Sequence, residues 1–560
     1  MRKKYYYADF ETIQPRGEHP RVSVYLWAIV SGNYKTWGRT IEEFVEWCRG
    51  ESNSVLFFHN LRFDFSYIHY FLILHKIPYQ LLEKSGVIYS VKFFGVELRD
   101  SLNFLPMTLA EVGKNYCTKY QKTSIDYNVY EGHVATREEI DYCINDCKVL
   151  EEGLTNYLTA LELVLDEAGA PESAKKVWKK LTNAGVAFEA FRELSEYDHC
   201  CPKTTVNEYR LYSQAYRGGY VYSRPTGVID DILMIDCNSM YPYMYSTIDM
   251  PIGKGIPCKD WADLARFKFG IVKVLIEYEL RDGYIPIIGG GVGKYGNNLY
   301  KSDSNGEYEE LVVSTTDLEL IREFYDCDVV YQWGVGFETV PEFFKRYADT
   351  FISVKNKEKG AKRNVAKVLL NSPYGKTAMN GLNEIKEYTI EDDGVVGHIM
   401  GYELDESAYQ YLPIAVAITA AARKYLLSTA SKIGFERVYY MDTDSIKFKR
   451  CETGIEYDPN RLGAWKNEGL CAKFKTIAPK KYVYWGVTYP DGTVDKTLHY
   501  ACAGFAKKTL ERDMAMGKEC DEAEAMEYIN KFAPSLTLEC LQSKIVEGGR
   551  ALIPVQKMMK

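Results

Sequence analysis

The chain has 560 residues, which is enough for three or four domains with separate cores. Its 69 basic and 77 acidic residues give a net charge of -8, so an anionic ligand must be met by local basic clusters rather than by overall charge. The N-terminus runs straight into a charged segment, and the longest apolar run, 412–422, is too short to span a bilayer. We therefore expect a protein that is neither secreted nor membrane-spanning.

The 14 cysteines include an i, i+4 pair, Cys143 and Cys147, and an adjacent pair, Cys200 and Cys201. There is no CxxC motif and no histidine nearby at zinc spacing. Free thiols in a reducing cytoplasm are the expected state.

Three segments of the first 154 residues present acidic side chains. Segment 5–13 is an aromatic strand whose period of two places Asp9 and Glu11 on one face. Segment 55–68 is a buried strand followed by Asn60 and Asp64, and 137–154 has helical periodicity with Tyr142 and Asp146 four residues apart. Each acid alone is weak evidence, because acidic strand ends are common.

In this order, DxE, NxxFD and YxxxD resemble the three motifs of proofreading 3′-to-5′ exonucleases of the RNase H-like type. The resemblance implies two divalent ions, one activating water and one stabilising the leaving oxygen. It assigns the ions to Asp9, Glu11, Asp64 and Asp146. It also implies that Tyr142 orients the water and that Lys122 contacts the scissile phosphate. The residues it places against the frayed single strand are Thr12, Asn60, Phe63, Ser101 and Leu102.

Two later segments carry a second set of acids. Segment 229–244 is an apolar strand that ends at Asp236 and continues as Ser239-Met240-Tyr241-Pro242. Segment 438–449 is predicted to form two short strands joined by the acidic turn Asp442-Thr443-Asp444-Ser445. An ordinary Asp-rich hairpin turn is the alternative for that segment. A calcium loop is a further one, although Lys447 stands where the EF-hand pattern needs glycine.

Segment 351–376 is basic, with seven Lys or Arg residues against one acid, Glu358. On a helix, Lys359, Arg363, Lys367 and Asn371 lie four apart and form one slowly drifting ridge, with Tyr374 near its end. Such a ridge is usually a solvated face. Pro373 is expected to end the helix near Asn371.

The patterns DxxSxYP, KxxxNSxYG and DTDS resemble motifs A, B and C of family B DNA polymerases, with Met240 where leucine is more usual. The resemblance implies two Mg²⁺ or Mn²⁺ ions per active site, held in the polymerase site by Asp236, Asp442, Asp444 and the backbone carbonyl of Cys237. It places Tyr241 under the incoming sugar, Arg363 and Lys367 on the triphosphate, and three residues around the nascent base pair, namely Asn371, Tyr374 and Gly375.

Three further elements resemble parts of the same polymerases. Tyr216, Gly218 and Gly219 match a YxGG element that holds the template strand. Thr419 and Arg423 match a TxxxR element that supports the palm. Lys480 and Tyr482 match the KxY motif that grips the primer terminus.

Long segments separate motif A from motif B, with Gly/Asn turns predicted at 289–298. Segment 380–407 separates motif B from motif C and has hairpin character, with a turn at Asp392-Asp393-Gly394. Protein-primed family B polymerases carry insertions at both places. The resemblance implies that the first docks a terminal protein offering a hydroxyl as primer and that the second gives processivity and strand displacement. The alternative is that both are decorative surface domains.

We predict an α+β multidomain fold, with an RNase H-like exonuclease domain followed by a right-hand polymerase with two insertions. The predicted domains are the exonuclease (1–170), palm (171–250 and 409–500), first insertion (251–347), fingers (348–378), second insertion (379–408) and thumb (501–560). Segment 507–532 of the thumb is expected to be helical. The expected activity is DNA-directed DNA polymerisation with proofreading, acting on primer-template DNA and dNTPs in the cytoplasm of a bacterial host and starting from a terminal protein. The rivals are a family B polymerase primed by nucleic acid, an exonuclease with a polymerase-like DNA clamp, and a structural calcium-binding or DNA-packaging protein.

Overall fold

A computed structural model of the protein describes residues 3–13, 21–125, 129–130, 132–289, 300–391, 394–505, 507–546 and 549–558. Helices and strands alternate along these ranges and give the predicted α+β multidomain fold. The predicted turn region 289–298 lies outside the described residues from 290 onward, as do Asp392 and Asp393. All 14 cysteines are free thiols, as expected. No helix in the described ranges is both long and apolar enough to cross a membrane.

The first part of the chain forms a seven-stranded sheet and a short extra strand. The strands are β1 (Lys4–Thr12), β2 (Arg21–Val22), β3 (Val24–Ser31), β4 (Tyr34–Gly38), β5 (Ser54–Phe58), β6 (Gln80–Lys84), β7 (Val87–Phe93) and β8 (Val96–Asp100). The order in this N-terminal sheet is β4-β3-β1-β5-β8-β7-β6. Strand β5 runs parallel to both β1 and β8, and the outer pairs are antiparallel.

Helices cover this sheet and lead away from it. They are α1 (Ile41–Gly50), α2 (Leu61–Leu74), α3 (Leu109–Tyr116), α4 (Arg137–Glu167), α5 (Pro171–Ala174), α6 (Asn183–Glu193), α7 (Tyr197–Cys200) and α8 (Val206–Tyr212), with short 3-10 turns at Ser101–Asn103 and Val177–Lys179. Helix α4 begins at a capping box in which Thr136 and Glu139 each accept the other's backbone N–H. Its apolar face packs on β1 and β3, which fixes the acidic strand β1 against the helix.

The next part holds two strands of the central sheet, which are not neighbours in it, and a separate inserted sheet. The elements are β9 (Val221–Ser223), β10 (Ile229–Cys237), α9 (Met240–Thr247), β11 (Asp249–Cys258), α10 (Trp261–Leu264), β12 (Phe269–Leu280), β13 (Ile288–Gly289), β14 (Tyr300–Lys301), β15 (Glu309–Ser314), α11 (Thr315–Phe324) and β16 (Tyr325–Pro341). The antiparallel order β11-β16-β12-β15 forms the inserted sheet, in the region predicted as the first insertion.

A helical pair and a hairpin follow. The elements are α12 (Lys345–Lys357), α13 (Gly360–Asn371), α14 (Tyr374–Thr377), β17 (Leu382–Ile390), β18 (Val396–Leu404), a 3-10 turn (Glu406–Ala408) and α15 (Leu412–Ile433). Helix α13 ends at Asn371, as Pro373 predicted. Strands β17 and β18 pair as the predicted hairpin, and α15 is almost entirely buried.

The last part completes the central sheet. The elements are a 3-10 turn (Phe435–Arg437), β19 (Val438–Asp442), β20 (Ser445–Lys449), β21 (Trp465–Ala478), β22 (Lys481–Thr488), β23 (Val494–Asp495), β24 (His499–Cys502), α16 (Lys507–Asp513), α17 (Glu522–Lys531), β25 (Thr537–Val546) and β26 (Gly549–Met558). The order is β23-β22-β21-β10-β20-β19-β9, with β24 paired to β22. Strands β10 and β20 are therefore neighbours although about 200 residues separate them.

The C-terminal region corrects one expectation from the sequence. Segment 507–532 was expected to be helical throughout, but α16 and α17 are separate and the residues between them are not helical. Ala515 and Gly517, at φ 48° and 76°, follow the end of α16 and turn the chain out of the helical path, and the side chain of Asp521 caps the start of α17. Beyond α17, the β25–β26 hairpin pairs with β2 of the N-terminal region.

Candidate active sites

Three acidic side chains meet at one end of the central sheet. Asp236 lies near the end of β10, opposite Ser445 of β20. Asp442 ends β19, and Asp444 lies in the tight turn between β19 and β20. The backbone N–H of Cys237 donates a hydrogen bond of 2.7 Å to the carbonyl of Asp444, which holds the strand end against the turn. The structure thus brings together three acids that are distant in sequence.

The acids of this site repel one another. Burial, together with the charges of Asp444 and Glu468, raises the pKa of Asp236 to about 7. Burial and the charge of Asp442 also raise the pKa of Asp444. Carboxylates this close remain charged at low cost only when a cation shares the site. Carboxylate and carbonyl oxygens are the donors that hard divalent cations prefer, so the residues present fit such ions.

The loop before β22 contacts the acidic turn. The ammonium nitrogen of Lys480 lies 2.7 and 3.0 Å from the two carboxylate oxygens of Asp442. The backbone N–H of Lys480 donates to the hydroxyl of Tyr440, which in turn donates to Asp442. The rings of Tyr440 and Tyr482 pack with centroids 4.7 Å apart. The two predicted primer-binding residues therefore lie beside Asp442.

Segment 216–219 approaches the acidic turn very closely. A Cβ atom at Gly219 would lie 2.8 Å from Cγ2 of Thr443 and closer still to its Oγ1, so only glycine fits without displacement. The guanidinium of Arg423 on α15 donates hydrogen bonds of 2.6 and 2.8 Å to two carbonyls of the segment. The predicted template-binding residues in this segment are Tyr216, Gly218 and Gly219.

Arg423 also ties the inserted sheet to the centre of the molecule. Its Nε and Nη2 donate to the two carboxylate oxygens of Asp317 at 2.9 and 2.8 Å, and both side chains are buried. Burial alone raises the pKa of Asp317, but the charge and hydrogen bonds of Arg423 outweigh it and hold that pKa below its usual value. Thr419, one turn earlier, bonds within its own helix.

Two tyrosine rings pack against each other near the acids, inclined by 33°. Tyr241 lies in the first turn of α9 and Tyr374 begins α14, and their ring centroids are 4.2 Å apart. Asn371 ends α13 and donates from Nδ2 to the carbonyl of Lys367 at 2.7 Å. Gly375 leaves open space where a Cβ atom would stand. Of the predicted base-pair residues, the structure thus places Tyr374 directly against Tyr241, with Gly375 following it in the chain and Asn371 three residues before it.

Three positively charged side chains of α12 and α13, those of Lys355, Arg363 and Lys367, lie close to the start of α9. Lys355 is buried, and its ammonium nitrogen lies 3.2 Å from Oδ1 of Asn238 and 3.5 Å from Oγ of Ser239. Burial and the charges of Lys367 and Arg363 lower the pKa of Lys355. The sequence pattern missed Lys355. The available signal was its position eight residues, or about two helical turns, before Arg363 in the same basic run.

A second acidic cluster lies on the N-terminal sheet. Asp9 and Glu11 lie two residues apart on β1, with Thr12 ending the strand, while Asp64 comes from the first turn of α2 and Asp146 from α4. Burial and the charge of Asp146 raise the pKa of Asp9 to about 7. Burial and the charge of Asp9 raise the pKa of Glu11 to about 9, and burial raises that of Asp64 well above its usual range.

This cluster also fits divalent cations. Oδ1 of Asp64 and Oδ1 of Asp146 are buried and have no hydrogen-bond partner among the described residues. Leaving such a group unsatisfied costs about 1–3 kcal/mol, and more when it is charged. A cation would satisfy both oxygens and offset the mutual repulsion of the four carboxylates.

Lys122 and Tyr142 border the cluster. The ammonium of Lys122 donates to the hydroxyl of Tyr142 at 2.9 Å and forms an ion pair with Asp146. Lys122 therefore places a positive charge next to the acids.

Asp100 organises the backbone next to this cluster. Its Oδ1 accepts hydrogen bonds from the backbone N–H groups of Asn60 and Leu102, at 3.0 and 2.9 Å. Asn60 has a left-handed backbone conformation, with φ 76°. The hydroxyl of Ser101 donates a hydrogen bond of 2.9 Å to the backbone carbonyl of Phe58. Phe63 lies one turn along α2, and both Asn60 and Phe63 line a cleft of about 610 Å³. Four of the predicted single-strand contacts are thus gathered here.

Known proteins match the chain over most of its length. The family "DNA polymerase type B, organellar and viral" matches residues 46–136 and 130–456. The DNA polymerase of Bacillus phage M2 is 30% identical over 522 residues, covering 86% of this chain and 87% of the phage protein. That of Bacillus phage phi29 is 29% identical over 558 residues, covering 91% and 93%.

The fold agrees with these matches. The phi29 DNA polymerase in complex with primer-template DNA and incoming nucleotide substrates superposes with a TM-score of 0.84 at 25% identity, covering 100% of both chains. Its complex with primer-template DNA alone gives a TM-score of 0.83. The chain therefore belongs to the type B DNA polymerases of organelles and viruses, and it is a DNA-directed DNA polymerase.

Proposed function

We propose that the central site adds dNTPs to a primer 3′-hydroxyl and that the N-terminal site removes mispaired nucleotides in the 3′-to-5′ direction. The observation that carries this proposal is the presence of two acidic centres on two different sheets, each with carboxylates whose pKa values are raised by burial and by one another. In each site a pair of divalent cations, Mg²⁺ or Mn²⁺, would activate the attacking oxygen and stabilise the leaving oxygen.

In the polymerase site, the chain supplies ligands and a substrate pocket. Asp236, Asp442, Asp444 and the carbonyl of Cys237 would hold the ions. The rings of Tyr241 and Tyr374 beside them would pack against the incoming sugar, and Tyr241 would leave no room for a 2′-hydroxyl. This arrangement positions the primer hydroxyl for in-line attack, and positioning is the main contribution a protein makes to phosphoryl transfer.

The cations of α12 and α13 bind the triphosphate. Arg363 and Lys367 face the same region as Lys355, and the three charges offset the negative charge that develops on pyrophosphate as it leaves. Lys355 is already desolvated, so its interaction with a phosphate oxygen is less screened by water.

Lys480 and Tyr482 hold the primer terminus, and segment 216–219 holds the template. Lys480 carries the charge that meets a primer phosphate, and its contact with Asp442 keeps it next to the reacting end. Gly219 allows segment 216–219 and the acidic turn to approach each other closely.

In the exonuclease site, Asp9, Glu11, Asp64 and Asp146 would hold the ions. Tyr142 orients the attacking water, and Lys122 offsets charge on the scissile phosphate. Asn60 and Phe63, with the backbone around Asp100, receive the unpaired 3′ end, where an aromatic ring can stack on a base.

Two substitutions test the two-site proposal. Asp442→Ala should abolish nucleotide addition while sparing degradation of single-stranded DNA, because it removes a ligand from one centre only. Asp9→Ala should do the reverse. Both variants are assayed for primer extension and for 3′-end degradation, with thermal unfolding as a check on folding. Loss of both activities in one folded variant would contradict the proposal.

We also propose that synthesis starts from a hydroxyl of a terminal protein, in the cytoplasm of a bacterial host. The inserted sheet and the β17–β18 hairpin support this, because they stand where protein-primed polymerases carry insertions, and the relatives named above come from Bacillus phages. The inserted sheet would dock the terminal protein. The hairpin would close around DNA and give processivity and strand displacement.

Protein priming is tested by incubating the enzyme with each neighbouring gene product, Mg²⁺ and a labelled dNTP. A labelled protein of the size of the terminal protein, resistant to nuclease, is the expected result. Normal extension of DNA primers with no labelled protein would instead favour a polymerase primed by nucleic acid.

A further inference from the structure

One thiol lies inside the exonuclease cluster and has no role in the function proposed above. Sγ of Cys143, a carboxylate oxygen of Asp9 and a carboxylate oxygen of Glu11 all lie within 4.8 Å of one another. Cys143 belongs to α4, is fully buried, and donates from its thiol to the backbone carbonyl of Asp9 at 3.5 Å. The thiol is therefore fixed on the side of the helix that faces the two acids.

Independent observations show that the positive charge of Lys122, paired with Asp146, leaves part of this cluster unsatisfied. The carboxylates of Asp64 and Asp146 are each more than nine-tenths buried, and each keeps one oxygen without a hydrogen-bond partner among the described residues. Both carboxylates act electrostatically on Glu11 or Asp9. The centre is thus built to take a cation, and a sulfur atom stands among its oxygen donors.

We propose that Cys143 makes the exonuclease centre a binding site for thiophilic divalent cations such as Zn²⁺, with Asp9, Glu11 and Cys143 as ligands. Mg²⁺ prefers oxygen, whereas Zn²⁺ accepts thiolate sulfur together with carboxylate oxygen. Zn²⁺ sites with three protein ligands at about 2.0–2.3 Å keep a fourth position open. The three atoms lie within 4.8 Å of one another, so binding requires side-chain rotations that close this spacing. Binding replaces the S–H bond of Cys143 with a metal–sulfur bond, and the proton passes to solvent.

The polymerase centre offers no equivalent sulfur among the described residues. The thiol nearest its acids, that of Cys237, donates to the carbonyl of Gly463 at 3.4 Å. Among the described residues, the group of Asp9, Glu11 and Cys143 is the one in which a cysteine or histidine lies within 4.8 Å of two acids. A thiophilic ion should therefore distinguish the two centres of one enzyme and inhibit DNA degradation at concentrations that leave DNA synthesis active.

Helix α4 provides a matched control. Cys147 lies one turn beyond Cys143, is equally buried, and donates from its thiol to the carbonyl of Ala28 at 3.4 Å. It does not belong to the acidic cluster. Cys147→Ala removes a thiol of the same burial from the same helix without removing the proposed ligand.

The test uses Cd²⁺ as a spectroscopic substitute for Zn²⁺, because a Cd–thiolate bond gives an ultraviolet charge-transfer band. Full-length enzyme, Cys143→Ala and Cys147→Ala are titrated with Cd²⁺, and the band of each variant is subtracted from that of the parent to remove the contribution of other thiols. We expect Cys143→Ala to lose a high-affinity band that Cys147→Ala retains. Asp9→Asn should lower the Cd²⁺ affinity measured from that band by about tenfold or more, because it removes a ligand of the same ion.

Activity gives a second measurement. Zn²⁺ should inhibit single-strand degradation by the parent at concentrations at least about tenfold below those needed for Cys143→Ala, each normalised to its own rate in Mg²⁺. Primer extension reports whether the Cys143→Ala variant is folded. If that variant is not folded, Cys143→Ser takes its place. A band that survives in the folded Cys143 variant, or that is lost equally in Cys147→Ala, would overturn the inference.

The inference rests on the proposed exonuclease only for its effect on DNA degradation. If the enzyme degrades no DNA in Mg²⁺ but shows the Cys143-dependent band, the proofreading proposal fails and the metal site stands. If the enzyme degrades DNA and the band does not depend on Cys143, the metal site fails and the proofreading proposal stands.

Discussion

Gly219 leaves room for the side chain of Thr443 in the turn that carries two of the polymerase acids. Thr443 has φ 56°, a left-handed conformation that is unfavourable for a β-branched residue. Its backbone N–H donates to the carbonyl of Tyr220, next to Gly219, at 2.9 Å. The template segment and the acidic turn therefore fix each other through the smallest residue on one side and a strained residue on the other.

A methyl group at this position should reduce synthesis selectively. Gly219→Ala pushes the turn or the template segment away, and because a misplacement of about 1 Å can cost on the order of 100-fold in rate, primer extension should fall by at least tenfold. Single-strand degradation should be unchanged. Thr443→Gly, which suits φ 56° and removes the collision, should restore much of the loss in the double variant. Failure of the double variant to recover would show that the contact is not the cause.

At the scale of elements, helix α2 holds the β17–β18 hairpin through a buried histidine. The ring of His69 lies 4.5 Å from that of Tyr388 on β17, and its Nε2 lies 2.7 Å from the hydroxyl of Tyr79. Glu83 of β6 adds an ion pair with Lys386 of the hairpin. Burial lowers the pKa of His69 to about 4, although the charge of Glu83 opposes this shift.

This histidine should make the protein less stable in acid. The unfolded chain binds a proton near pH 6.5, whereas folded His69 resists protonation down to about pH 4. The free energy of unfolding should therefore fall by up to roughly 3 kcal/mol as pH drops through that window. His69→Gln should flatten this part of the pH dependence, measured by thermal unfolding between pH 4 and 7. His75→Gln, exposed at the end of the same helix, is the control. Equal slopes for both variants would contradict the prediction.

Elements with strong local signals followed from the sequence. The alternation in β1, the apolar strand β10 and the proline after α13 each depend on neighbouring residues, and the structure has all three. The interruption between α16 and α17 was missed, because two residues at positive φ, Ala515 and Gly517, break an otherwise helical composition and the alanine gives no local signal. The partner of β26 was also not predictable, since β2 lies over 500 residues away.

Site residues divide in the same way. The seven acids stand in motifs and were found, but Lys355, Cys143 and the ion pair between Lys480 and Asp442 depend on packing between elements. Lys355 has no motif of its own, and Cys143 resembles any apolar position on the buried face of a helix.

At the scale of the whole molecule, α15 and α11 connect the inserted sheet to the centre. The buried pair of Arg423 and Asp317 joins these helices, and the same arginine holds segment 216–219. An exposed pair, Lys424 with Glu319, joins the same two helices at the surface. The structure thus offers a buried and an exposed ion pair between one pair of elements.

Breaking the buried pair should affect both stability and synthesis. Asp317→Asn leaves the guanidinium of Arg423 buried without its counter-charge, which costs about 3–5 kcal/mol. Thermal unfolding should occur at lower temperature, and primer extension should fall because the template segment loses its support. Glu319→Gln should change stability by at most about 1 kcal/mol, as expected for an exposed pair. Equal effects of the two substitutions would show that Arg423 is not the connecting residue.

The pairing of β26 with β2 bears on how the polypeptide can be divided. Residues 21–22 and 549–558 share a small sheet, and the C-terminal helices share a core with Trp485 of the central sheet. If the gene were split between the central sheet and these last elements, the two products would meet again on both surfaces. An enzyme whose gene is split at this point should therefore reassemble from the two polypeptides.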